Sequence, residues 1–133
     1  MELENGATVF RENVPWGVLR VESLGGDDEI PEIDPVVSPV EANSTCVVVA
    51  VVHPEIGTVE IAFGGLDTPR QPVEIFDGVI EVLSGVVEVA DLVGDDFCHR
   101  LSVPVPRTRL RISVDDPNMA QSVAIVVSEP VAA

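Results

Sequence analysis

The sequence predicts an all-β fold, a two-layer antiparallel β-sandwich of about eight or nine strands, with a closed β-barrel as the alternative. Three observations predict it. Valine fills 27 of the 133 positions, and a β-branched side chain that loses χ1 freedom in a helix packs well on a pleated sheet. Eleven prolines and ten glycines separate the apolar runs. No long stretch keeps apolar residues at helical spacing without one of these breakers intervening.

Along the chain, Ala7–Arg11 and Trp16–Leu24 read as a first strand pair across Asn13-Val14-Pro15. Gly25 to Asn43 differs in kind. It holds Asp27, Asp28, Glu29, Glu32, Asp34 and Glu41 with Pro31, Pro35 and Pro39. Prolines at this spacing forbid a helix and weaken a strand, so a long acidic loop or extended edge is expected. The unbroken apolar run Cys46–Val52 suits a central strand covered on both faces. Thr58–Phe63 alternates, with Val59, Ile61 and Phe63 on one face, and Gly64-Gly65 ends it.

Pro72–Phe76 follows, then Asp77-Gly78, a pair favoured in tight turns. Val79–Leu83 and Val86–Val93 flank Ser84-Gly85 as a hairpin, and Gly94-Asp95-Asp96 closes that unit. Phe97–Val105 places Phe97, His99, Leu101, Val103 and Val105 on one face. In Arg107–Val114 the alternation is clearest: Thr108, Leu110, Ile112 and Val114 face inward, and Arg107, Arg109, Arg111 and Ser113 outward. Asp115-Asp116-Pro117-Asn118 is a turn, and Gln121–Ser128 is the last strand. A single domain over 1–133 with no internal repeat is expected.

Charge narrows the function classes. Acidic residues number 23 against 7 basic ones, for a net charge of −16, and every basic residue is an arginine. Phosphate contacts need a positive footprint, so direct binding to nucleic acid is disfavoured, and an anionic membrane surface would repel the chain. The longest apolar run is seven residues, far short of the ~20 that span a bilayer. A dense negative field instead favours association with a basic protein. The acidic start Met-Glu-Leu-Glu-Asn does not resemble a secretory signal, which leads to the expectation of a cytoplasmic protein with reduced thiols.

Candidate sites are few. The acidic residues Asp27, Asp28, Glu29, Glu32 and Asp34 are the candidate partner-binding surface. As a calcium site they lack the D-x-D-x-D-G pattern, and their prolines hinder wrapping an ion. A solvated acidic loop is preferred. Arg107, Arg109 and Arg111 form an exposed row spaced about 6.8 Å apart. Structural pairing with glutamates such as Glu60, Glu74, Glu81 and Glu88 is favoured over an anion-binding patch.

Cys46, His53, Cys98 and His99 have the right chemistry for zinc but the wrong spacing, since adjacent Cys98 and His99 point to opposite faces of a strand. Buried thiols and turn-flanking histidines are the simpler account. No nucleophile elbow, phosphate loop, dinucleotide fingerprint or H-E-x-x-H is present. No catalytic residue, cofactor or metal is therefore expected, and the chain is not read as an enzyme.

The order of the C-terminal half is a Val/Glu strand (Val79–Leu83), a Gly-started strand (Gly85–Val93), a strand ending at Val103-Pro104, the arginine-alternating Arg107–Val114, and Ser122–Ser128 ending Glu129-Pro130. It resembles small bacterial β-sandwich proteins of the competence-protein-J type. The resemblance implies an inhibitor that binds a nuclease, and carries over no individual functional residue. The leading expectation is thus a non-enzymatic acidic binding protein of the inhibitor or immunity type, occluding a cationic protein. The alternatives are an assembly module forming homo-oligomers through sheet edges and, more remotely, a metal- or thiol-dependent enzyme.

Overall fold

The computed structural model describes residues 7–25, 30–34, 36–91, 97–103 and 106–129. Ten strands form among them: β1 (Thr8–Glu12), β2 (Val18–Ser23), β3 (Val40–Ala42), β4 (Cys46–Ala50), β5 (Val59–Gly64), β6 (Val73–Glu81), β7 (Val86–Asp91), β8 (Cys98–Ser102), β9 (Arg107–Val114) and β10 (Ser122–Ser128). They make two five-stranded sheets, ordered β1-β5-β10-β9-β6 and β3-β4-β2-β7-β8. The fold is the expected sandwich and does not close into a barrel. It departs from expectation in three pairings. β5 and β10 run parallel, with Val123 beside Ile61 and Ile125 beside Phe63. The expected first strand pair does not form, because β1 joins β5 in one sheet while β2 joins β4 and β7 in the other. Nor do the strands flanking Ser84-Gly85 form a hairpin: β6 pairs with β9 and β7 with β2 and β8, so the turn carries the chain from one sheet to the other. No helix among the described residues is long and apolar enough to cross a membrane.

The inward alternation of each strand supplies one core. Leu19, Val49 and Val89 from one sheet face Ile61, Ile112 and Ile125 from the other, all fully buried. β4 is apolar at every position because both its faces are covered. Val47 and Val49 enter the main core, while Cys46 and Val48 on the opposite face form a smaller cluster with Val18 under Ile33. Part of the acidic segment therefore lies across the outside of a sheet. The same segment supplies β3, a three-residue edge strand pairing Val40 with Val49.

Two local expectations are corrected. Asp77-Gly78 is not a turn, since both residues lie inside the nine-residue β6. The glycine is there for packing: a Cβ on Gly78 would sit 2.7 Å from the Phe76 ring, which folds over it. Trp16 does not belong to β2. Pro15–Gly17 is a single 3-10 turn, and the strand begins at Val18.

The open sides of the sandwich are closed differently. Between edge strands β1 and β8, the His99 ring stacks on Phe10 with centroids 3.6 Å apart, and Phe97 packs on both. On the other side the Glu81 amide donates to the Ser44 carbonyl at 2.8 Å. Edge strand β6 carries outward carboxylates and a register shift between Glu74 and Phe76, devices that blunt edge-to-edge pairing.

Candidate interaction surface

The arginine row of β9 lies against β6, and the register brings acids to it. The Arg109 guanidinium donates twice to Asp77, Nε to Oδ1 at 2.8 Å and Nη2 to Oδ2 at 2.6 Å. Arg111 Nε donates to Glu74 Oε1 at 2.7 Å, and Arg107 stands opposite Glu81 in the ladder. Hydrogen bonding from Arg109, the largest influence, holds the Asp77 carboxyl below its usual range. Arg11 donates to Glu60, its cross-strand neighbour, at 2.7 Å. Each such half-exposed pair contributes little to stability.

The outer face of the second sheet is more enclosed. Glu22 and Glu88 stand directly opposite each other on β2 and β7. Like charges in that position repel, and arginines intervene. Arg20 Nε lies 3.2 Å from Glu22, Arg20 Nη2 lies 3.8 Å from Glu88, and Arg100 Nε donates to Glu88 at 3.0 Å. Burial, the largest influence, raises the Glu22 carboxyl above its ordinary value, and Glu88 adds to this while Arg20 opposes it.

A raised native pKa means that the protonated carboxyl favours the fold. This contribution is present below the unfolded-state value and is lost as pH rises through the native one. Glu22→Gln is therefore expected to raise the Tm relative to the parent at pH 7, with the difference shrinking as pH falls below the ordinary glutamate range. Thermal melts of both proteins across that range check it; a pH-independent difference would refute the linkage.

Of the five candidate acids, Asp27, Asp28 and Glu29 lie outside the described residues. Glu32 and Asp34 are exposed on either side of Ile33. Asp34 organises its own turn, its Oδ1 accepting from the Val36 amide at 3.0 Å.

The thiol and imidazole groups are dispersed. Cys46 is buried and Cys98 is exposed, contrary to the expectation of two buried thiols. They occupy β4 and β8, with β2 and β7 between them, a separation of about 14 Å at ordinary strand spacing. Partial desolvation of the sulfur, although the residue is exposed, and then the neighbouring Glu88 push the Cys98 thiol up, which disfavours the reactive thiolate. His99 is a strand residue, not a turn residue, with Nε2 3.5 Å from Glu12 Oε1. No three potential metal ligands cluster among the described residues.

Two concavities lie at opposite ends of the sandwich. One, of about 650 Å³, sits where β5 and β10 end and β9 begins, with Leu66, Leu101, Val103 and Val127 among its walls. The other, of about 310 Å³, is formed by the turn before β2, the end of β4 with the residues after it, and the β9–β10 turn. Trp16, Ile33, His53, Ile56, Pro117 and Met119 line it.

Trp16 is the feature that inspection of the sequence missed. It is 71% exposed, with Ile56 and Met119 exposed beside the same cleft. Its backbone is left-handed at φ 64, ψ 0, the one positive φ at a non-glycine residue among those described. An L-residue held there is strained by about 1–2 kcal/mol.

Flanking anchors impose this conformation. Val14 is fully buried, the Gly17 amide donates to the Val14 carbonyl at 3.0 Å, and the Val51 amide donates to the Gly17 carbonyl at 2.9 Å. The available signal was the Pro15-Trp16-Gly17 triplet, turn punctuation around the chain's single tryptophan.

No protein-family model and no curated protein matches this sequence. Among solved structures, the chain is similar to the crystal structure of ComJ, inhibitor of the DNA degrading activity of NucA, from Bacillus subtilis. The TM-score is 0.67 at 7% sequence identity, over 90% of this chain and 93% of that one. The likeness is one of fold.

Proposed function

We propose that this sandwich is a non-enzymatic, acidic binding protein of the inhibitor type, acting by covering the positively charged surface of a protein such as a nuclease. One observation carries the proposal. Arg11, Arg20, Arg100, Arg109 and Arg111 are all engaged by carboxylates of their own chain, while the chain holds a net charge of −16 and no lysine. Five of the seven cations are thus engaged within the chain, and the charge left over is strongly negative.

A surface of that sign speeds encounter with a basic protein and repels nucleic acid and anionic lipid. It can occupy the track in which a nuclease holds phosphates. The fold shared with a nuclease inhibitor supports the same class of role. The scattered thiols and imidazoles support binding over turnover, and the two free cysteines suit a reducing, cytoplasmic setting.

The test is capture at two ionic strengths combined with an activity assay. The immobilised protein is expected to retain basic proteins at low salt and to release them at high salt. A nuclease retained in this way is expected to lose activity on DNA when the protein is added in equimolar amount. Retention that is indifferent to salt, or no retention, would overturn the proposal.

A further inference from the structure

We infer that the Trp16 end of the sandwich is the contact surface, and that it fits a basic protein presenting an apolar side chain within a cluster of lysines or arginines. This inference rests on the acidic binding role proposed above and adds the place and the chemistry of the contact.

The first argument is conformational. Trp16 adopts a backbone that asparagine or glycine would accept more readily, yet its ring is 71% exposed and contributes little to the core. Strain of this kind persists only where surrounding structure imposes it and tends to mark sites of function. The backbone beneath is fixed by the bond from Val51 to Gly17 and by a second from the Val52 amide to the Ala120 carbonyl at 3.0 Å. The ring is therefore presented on a rigid base, which limits the entropy lost on binding.

The second argument is composition. Ile56, 58% exposed, and Met119, 52% exposed, stand with Trp16 around a cleft of about 310 Å³. An exposed tryptophan beside adaptable apolar side chains is typical of the centre of a protein contact, where a few residues dominate the affinity.

The third argument is charge complementarity, which selects the occupant. Glu32 and Asp34 flank Ile33, Glu55 precedes Ile56, and Asp115 and Asp116 precede Pro117, all five exposed. No lysine or arginine is among the described residues lining the cleft. An apolar cleft whose lining residues Ile33, Ile56 and Pro117 each have exposed carboxylates next to them in the chain matches an apolar side chain set among cations. It disfavours a second copy of this acidic chain, whose own carboxylates would be brought together.

The test uses two dye-labelled synthetic peptides of equal positive charge, one with a central Leu-Phe pair among lysines and arginines, the other with Gly-Gly in its place. The intact protein is expected to bind the Leu-Phe peptide about tenfold more tightly at low salt, with a blue shift of the single tryptophan's emission. Trp16→Asn, which suits the left-handed backbone and should fold at least as stably, is expected to abolish that preference while leaving the weaker charge-driven binding intact. The double variant Glu32→Gln/Glu55→Gln is expected to weaken both peptides.

Equal affinity of the two peptides for the parent, or an unchanged preference in Trp16→Asn, would overturn this contact surface and leave the acidic role standing. Failure of both peptides to bind at low salt would overturn the acidic role itself. Light scattering that shows a dimer for the parent and a monomer for Trp16→Asn would overturn the basic partner in favour of a second copy.

Discussion

Leu19→Ala is expected to lower stability by about 2–5 kcal/mol, the range for removing a buried leucine side chain and leaving a cavity. Leu19 is fully buried on β2, the middle strand of its sheet, with Val49 beside it on β4. Both neighbouring strands are held in register, so the backbone cannot collapse into the void. Against a total stability of about 5–15 kcal/mol, the loss approaches what the domain can tolerate. Denaturant unfolding monitored by far-UV circular dichroism measures it. Val36→Ala is the matched control, because Val36 is 94% exposed and its truncation removes no core contact. Equal midpoints for the two variants would refute the packing assigned to Leu19.

Gly17→Ala is expected to destabilise the fold by at least about 1–3 kcal/mol, from two causes acting at once. Gly17 has φ +64, a conformation that costs any residue with a Cβ. The added Cβ would also lie 2.8 Å from the Val51 carbonyl oxygen, a backbone atom that cannot swing aside, and 3.2 Å from the His53 ring. Relieving either contact pulls on the bond that ties the turn to β4. The neighbouring position has the opposite sign: Trp16→Asn removes strain without adding atoms and should match or exceed the parent's Tm. If Gly17→Ala melted with the parent, the tightly pinned turn described above would be wrong.

The parts of the fold that were legible in the sequence are those governed by period. In Arg107–Val114, Thr108, Leu110, Ile112 and Val114 are buried as their alternation requires. Within the run Cys46–Val52, β4 is covered on both faces because Val47 and Val49 enter one cluster and Cys46 and Val48 another, although the strand ends at Ala50, short of the full run. Parts governed by distant partners were not legible. Asp77-Gly78 has the composition of a turn, yet Arg109 holds its aspartate and the Phe76 ring occupies the space over its glycine.

The glutamates proposed as partners for the arginine row were sorted by register. Glu74 meets Arg111, but Glu60 and Glu88 serve Arg11 and Arg100. The parallel junction of β5 with β10 has no local signature at all. Trp16 was hidden for another reason: its exposure and backbone angle come from Val14, Gly17 and Val51 being fixed around it, and no pattern within the triplet encodes those anchors.

The place of β10 in its sheet has a consequence for how the molecule is made. β1 and β5 reach β9 and β6 only through β10, and a ribosome delivers β10 after the other nine strands. Until it emerges, half of the sandwich exists as two unjoined fragments whose apolar faces lack their cover, the condition in which nascent chains are most prone to clump. The Ala120 carbonyl that steadies the tryptophan end comes just ahead of the same strand. Completion of this sheet thus waits on its tenth strand, and a chain cut short before β10 would lack the strand that joins β5 to β9.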